Sequence, residues 1–180
     1  MRKMLAASLA LAVAPGGCGT DRDSWPDGAH AELSEPSGRL VANAAAYDED
    51  GGLRIHVDAA GLAPGVYGVH IHSVGRCDPP GFESAGPHWN PAAREHGARN
   101  PRGPHLGDLP NLSIGADGRG RLIFTIPGVG EAIGPHAMMD GDGAAIIIHA
   151  QADDYRTDPS GNSGARLACG VFRRMRGHLT

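Results

Sequence analysis

Lysine is all but missing from this chain. Lys3 is the only one in 180 residues, so beyond it every strong cation is an arginine. Aromatic residues make up 4% of the sequence, whereas Gly numbers 28 and Pro 14. So few large rings among so many turn-formers argue against a helical bundle and for short strands joined by turns. The apolar run from Met4 to Ala14 is eleven residues, too short to span a bilayer as a helix. Positive charge is also scarce. Sixteen basic against twenty acidic residues give −4, and without Arg2 and Lys3 the balance is 14 − 20 = −6. No nucleic-acid partner is expected from that balance. Arg173, Arg174 and Arg176 cluster only at the tail and read as a solvated end.

The first 18 residues read as an export signal, with Arg2 and Lys3 ahead of the apolar run. Two processing routes are open. Ala12-Val13-Ala14 has the small residues of a cleavage site, but Pro15 follows directly. Gly16-Gly17-Cys18 resembles the end of a bacterial lipoprotein signal, with Pro15 where an aliphatic residue is usual. Lipidation of Cys18 would anchor the chain to a membrane. The expected organisation is therefore a signal over 1–18, a linker over 19–28, one domain over 29–172 and a basic tail over 173–180. Cys18, Cys77 and Cys169 are the only cysteines. A Cys77–Cys169 bridge would leave Cys18 over for lipidation; three free thiols in a reducing compartment are the alternative.

Eight strands are expected, over 29–33, 39–47, 53–59, 65–72, 111–114, 119–126, 144–149 and 166–172. The third alternates cleanly, with Leu53, Ile55, Val57 and Ala59 on one face and Arg54, His56 and Asp58 on the other. Ala116-Asp117-Gly118 marks a hairpin between the fifth and sixth. Short strands of this kind predict an all-β fold, an eight-stranded Greek-key barrel or sandwich. Two segments lack strand patterning, 73–110 with 38 residues and 150–165 with 16. Long irregular loops in a compact domain are read here as functional, ordered by metal ions and a disulfide.

Six of the ten histidines, with Asp108, fall in GVHIH, AGPHWNP, REHGARN, GPHLGDL and IIIHAQADD. Residues two apart in a strand share a face, so His70 and His72 project together, away from Val69 and Ile71. His149 ends another strand and reaches the same ion if the two strands are neighbours. His88, His96, His105 and Asp108 are spaced by 8, 9 and 3, which lets a loop wrap one tetrahedral ion. Three nitrogens and a carboxylate suit zinc, and imidazoles suit copper. Seven such ligands are too many for one ion and right for two, if one is shared. His30, His56, His136 and His178 read as surface groups, and Met138 and Met139 as core plugs or exposed side chains.

Over about 29–172 the chain resembles the copper/zinc superoxide dismutase family, through GVHIH, GRCDPPG, AGPHWNP, HGARNPRGPHLGDL, HAQADDY and GNSGARLACG. The resemblance implies copper held by His70, His72, His88 and His149, and zinc held by His88, His96, His105 and Asp108, with His88 the shared bridge. It implies that Asp153 ties His70 to His96, that Cys77 and Cys169 form a disulfide, and that Arg166 lies beside the copper channel, with Ser160 replacing a threonine there. Arg166 and His88 are the catalytic residues so implied, superoxide is the substrate, and the periplasm or cell envelope is the place of action. An exported copper/zinc protein that stores or delivers metal with little turnover is the rival reading. Three departures stand out. Ser73 and Arg76 are unusual where they fall, the second loop has no lysine to guide an anion and offers Arg156 instead, and Phe172 replaces an aliphatic residue.

Overall fold

The computed structural model describes residues 28–49, 51–130 and 137–174. The signal, Cys18, most of the linker, His136, Arg176 and His178 lie outside them. Among the described residues there are ten strands: β1 (Ala29–Ser34), β2 (Leu40–Glu49), β3 (Gly52–Ala60), β4 (Gly65–Tyr67), β5 (Val69–His72), β6 (Leu112–Ile114), β7 (Arg119–Pro127), β8 (Ala145–His149), β9 (Arg166–Val171) and β10 (Arg173–Arg174). Among the described residues the only helical element is one 3-10 turn, Glu83–Ala85, and no helix is long and apolar enough to cross a membrane. All strand pairings are antiparallel. One curled sheet runs β5-β8-β9-β1-β2-β3-β7, with β10 also on β1, and β4 pairs with β6 in a two-stranded ribbon. The all-β, eight-stranded Greek-key class is the one expected.

Alternation dictates which face is inside. In β3, Leu53, Ile55, Val57 and Ala59 are buried, and Arg54, His56 and Asp58 are partly exposed. Leu33, Leu53, Ile55, Ile71, Leu112, Ile146 and Ile148 form the centre of the core. Each such side chain contributes about 1.5–3 kcal/mol relative to an exposed one. Phe172 and Met138 are buried in the same core, and Met139 packs against it. The hairpin signal is realised: Gly118, at φ 73°, donates to Gly115 O at 3.0 Å, and Gly115 N donates to Arg119 O at 2.8 Å.

Two differences from expectation have physical causes. The strand expected over 65–72 is broken at Gly68, whose N–H donates to Gln151 O at 2.8 Å and whose carbonyl accepts from His149 N at 2.8 Å. A Cβ there would lie 3.0 Å from Ser163 Cβ, so the chain turns the corner on glycine. The first half then pairs with β6 and the second with β8. At the other end, Arg173 and Arg174 pair with His30 and Ala29, so strand pairing runs past 172, although both arginines remain exposed.

β8 is buried along its whole length. Ile146 and Ile148 face the core, while Ala145 and Ile147 pack under a second cluster of Phe82, Ala85 and Cys169. That cluster lies at the segment tethered by a Cys77–Cys169 disulfide, with Cα atoms 5.8 Å apart and a sequence separation of 92. The tether folds the first long loop over the outer face of β8 and β9, beside the histidines.

Candidate metal centre

Strand register brings the first histidines together. β5 pairs with β8, setting His70 opposite Ile147 and His72 opposite Ala145, and His149 follows at the end of β8. Val69 and Ile71 point into the core, so His70 and His72 share the other face. The loop closes on them through isolated bridges pairing His72 with His88 and His70 with Asp108. All seven expected residues, His70, His72, His88, His96, His105, Asp108 and His149, are thereby gathered and nearly or fully buried.

Two groups emerge. Ligand atoms of His70, His72, His88 and His149 all lie within 4.8 Å of one another. Around Asp108 Oδ1 gather His88 Nδ1 at 2.9 Å, His96 Nδ1 at 3.0 Å and His105 Nδ1 at 3.1 Å. His88 is common to both. His70 also falls within 4.8 Å of His88, His96 and Asp108, but its Nε2 is taken by Asp153. The remaining oxygen of Asp108 accepts the backbone N–H groups of Gly97 at 2.9 Å and His105 at 3.0 Å.

Ring orientations are fixed from behind. Asp153 Oδ2 is 2.9 Å from His70 Nε2, and Asp153 Oδ1 is 3.0 Å from His96 Nε2. His72 Nδ1 meets Gly86 O at 2.8 Å, and His149 Nδ1 meets Gly164 O at 3.3 Å. Such backing fixes which nitrogen each ring offers to an ion. Gly161, at φ 63°, leaves room for this: a Cβ there would sit 2.6 Å from His96 Nε2 and inside the Asp153 carboxylate.

The nitrogens left over test whether metal ions fit. His70 Nδ1, His72 Nε2, His96 Nδ1 and His149 Nε2 are buried and make no hydrogen bond. His96 Nδ1 is 3.0 Å from Asp108 Oδ1, yet its alignment is not that of a hydrogen bond. Buried polar atoms normally find partners, and three unpaired ring nitrogens in the first group, with a fourth facing the Asp108 carboxylate in the second, are the complement of bound cations. Burial, then the neighbouring His88, pushes His72 down to about 2. Burial, with the nearby His70, lowers His149 to about 3, and burial outweighs the bond to Asp108 to bring His88 to about 4. His70 is lowered by burial too. These rings are therefore neutral and able to ligate near pH 7. His96 is the exception. Burial would lower it, but the Asp108 and Asp153 carboxylates raise it to about 9. Both carboxyl groups lie well below their usual range, held there against burial by the histidines.

Arg166 Nη1 donates to Phe82 O at 2.6 Å and Nη2 to Gly86 O at 2.8 Å, pinning its guanidinium beside His72. Burial lowers its affinity for its proton, and Glu83 opposes that. His30 and His56 belong to neither group and sit partly exposed on β1 and β3.

A model of the copper/zinc superoxide dismutase family matches residues 37–172. The chain belongs to that family. The superoxide dismutase-like protein YojM of Bacillus subtilis is 41% identical over 189 aligned residues, covering 96% of each chain. A copper/zinc superoxide dismutase of Aquifex aeolicus is 41% identical over 147 residues, covering 81% of this chain and 86% of that one. The crystal structure of a superoxide dismutase-like protein from Bacillus subtilis superposes with a TM-score of 0.77 at 46% identity, over 81% of this chain and 99% of that one. Copper and zinc are the metals of this family, and the donor set present here fits both.

Other supports came from residues the sequence reading passed over. Asn111 accepts Asp153 N–H at 2.8 Å and donates to Asp153 O at 3.0 Å. Tyr155, at φ 63°, takes the Asn111 N–H on its hydroxyl at 2.8 Å and the Arg99 N–H on its carbonyl at 2.9 Å. Asp154 binds Thr157, Arg156 and Asn162 and so shapes the second loop. The reading of 150–165 as a functional loop and the Asp-Asp-Tyr run within it pointed to this region, but not to these contacts.

Proposed function

We propose that this chain is a superoxide dismutase, converting two superoxide anions and two protons into dioxygen and hydrogen peroxide. The observation that carries the reading is that the His88 ring lies among the first group and also meets Asp108 through Nδ1 at 2.9 Å, whereas His70, which reaches both groups, has its Nε2 committed to Asp153 at 2.9 Å. In this reading His70, His72, His88 and His149 hold copper, while His88, His96, His105 and Asp108 hold zinc. Copper supplies a one-electron couple there, which zinc, without redox chemistry, does not. His88 directs Nδ1 towards Asp108 at 2.9 Å, which leaves Nε2 as the atom that takes up and returns a proton in each turnover. Arg166 offers a fixed positive charge to a small anion, and its two carbonyl partners hold the guanidinium in place.

Residues 29–172 carry this activity in the proposed organisation. Residues 1–18 act as an export leader, and Gly16-Gly17-Cys18 supports lipidation at Cys18 and anchoring in the cell envelope. The disulfide fits an oxidising compartment such as the periplasm. A second reading, copper/zinc storage or delivery with little turnover, draws on the description of the Bacillus subtilis relative as dismutase-like.

The two separate in one experiment, with metal content and superoxide loss measured on the same sample. About one copper and one zinc per chain with rapid superoxide loss supports the dismutase. The same metals without that loss support storage.

A further inference from the structure

The second long loop, 150–165, touches the zinc-side group at a point outside the Asp153 contact. Asp158 Oδ1 accepts the backbone N–H of His96 at 2.7 Å. The same oxygen lies 4.0 Å from His105 Nε2, within ion-pair range but beyond a direct hydrogen bond. His96 and His105 both direct Nδ1 to Asp108 Oδ1, at 3.0 and 3.1 Å. His96 is then backed on Nε2 by Asp153 at 3.0 Å. His105 has no such contact with Asp153, and the carboxylate facing its Nε2 is that of Asp158.

Asp158 is not a chance surface group. Asp154 orders the loop ahead of it, accepting the Thr157 N–H at 2.8 Å and bonding the Thr157 hydroxyl at 2.6 Å. The side chain of Asp158 remains 49% exposed, on the wall of an open cleft of about 560 Å³ shared with Glu95, Arg99, Arg102 and Arg156. Glu95 pairs with Arg102 at 2.7 Å, so it does not compete for the histidines.

We propose that Asp158 is a positioning residue of the zinc half, holding the His96 backbone and orienting the His105 ring so that closure of the second loop retains zinc. The proposal rests on reading His88, His96, His105 and Asp108 as zinc ligands. A carboxylate behind a metal-bound imidazole fixes ring orientation and strengthens the donor, and losing it typically costs about 10–100-fold in affinity. Asp158 also does what Asp153 does not: it holds a ligand's backbone, so the loop and the ion stabilise each other.

The test uses Asp158→Asn and Asp158→Ala in the full chain. Zinc and copper affinities are measured by chelator competition, and cobalt placed at the zinc position gives a visible spectrum. Asp158→Ala is expected to weaken zinc binding about tenfold or more with copper affinity within threefold. Asp158→Asn, whose amide oxygen still accepts the His96 N–H, is expected to lose less zinc affinity yet to shift the cobalt spectrum. Zinc affinity within threefold of the parent in both variants would overturn the proposal, as would equal losses of zinc and copper. Should Asp158→Ala fail to fold, the isosteric Asn variant decides alone. Failure of the underlying reading appears elsewhere: a parent chain taking up no stoichiometric zinc, or His96→Ala retaining it, would remove the zinc half altogether.

Discussion

Gly86 O serves two side chains at once, lying 2.8 Å from His72 Nδ1 and accepting from Arg166 Nη2 at 2.8 Å. A ring proposed to hold copper and a guanidinium proposed to bind the substrate thus share one backbone atom, which ties their relative positions. Arg166→Ala removes the charge without touching any ring nitrogen. Both metals are expected to stay while turnover falls about 10–100-fold, as for loss of a charged hydrogen bond worth about 1.5–3 kcal/mol; stopped-flow superoxide decay on metal-analysed protein checks this, and unchanged decay rejects the role. His149→Ala is the complementary case. It takes a ring from the proposed copper group only, so copper is expected to be lost and activity with it, while zinc remains, read by metal analysis after dialysis. The histidines were legible because ligand chemistry is written in residue type and spacing. Asn111 and Tyr155 were not, because their value lies in contacts across 42 and 44 residues of chain that no local pattern announces.

Among the elements, the segment between Cys77 and Gly86 has the clearest energetic consequence. Closing a loop with a sequence separation of 92 removes denatured-state entropy equivalent to about 4–5 kcal/mol in the chain-entropy account. Phe82 O and Gly86 O, the acceptors of Arg166, lie on that tethered segment. Replacing both Cys77 and Cys169 with Ser is therefore expected to lower unfolding stability by about 2–5 kcal/mol in a urea titration. It is also expected to reduce turnover in the folded protein, because Arg166 loses the rigidity of its partners. An unchanged urea midpoint counts against the tether. Strands with strict alternation, β3 above all, were readable residue by residue. The split at Gly68 was not, since Val66, Val69 and Ile71 read as one continuous strand and only the approach of Gln151 and Ser163 forces the corner. Likewise β8 is apolar on both faces, and only the fold reveals that its outer face is covered by the disulfide-tethered loop.

At the scale of the whole molecule, the metal centre makes stability depend on pH in two opposite ways. In the metal-free protein His72, His88 and His149 have folded values of about 2, 4 and 3 against 6.5 unfolded. Below pH 6.5 the unfolded chain takes up protons that the folded one refuses, so stability is lost as pH falls from about 6.5 down to the folded values of about 4 for His88, 3 for His149 and 2 for His72. His96 works the other way. Its folded value of about 9 lies above 6.5, so its contribution is full below pH 6.5 and disappears as pH rises through about 9. The metal-free form is thus expected to be most stable near pH 6.5, with a steeper fall on the acid side, where His70, lowered by burial as well, joins these three rings against the single His96. In the proposed assignment bound ions would change this: a cation at His96 would displace its proton and take over the attraction of Asp108 and Asp153, and the ligand rings would be held neutral. Thermal unfolding from pH 5 to 9 should therefore give a peaked curve without metals and a higher, flatter one with copper and zinc bound. Zinc binding near pH 7 should also release a proton, measurable as a buffer-dependent binding enthalpy. A metal-free curve that keeps rising from pH 6.5 to 9 would mean that His96 is not held between the two carboxylates, and the arrangement of the zinc half would have to be redrawn.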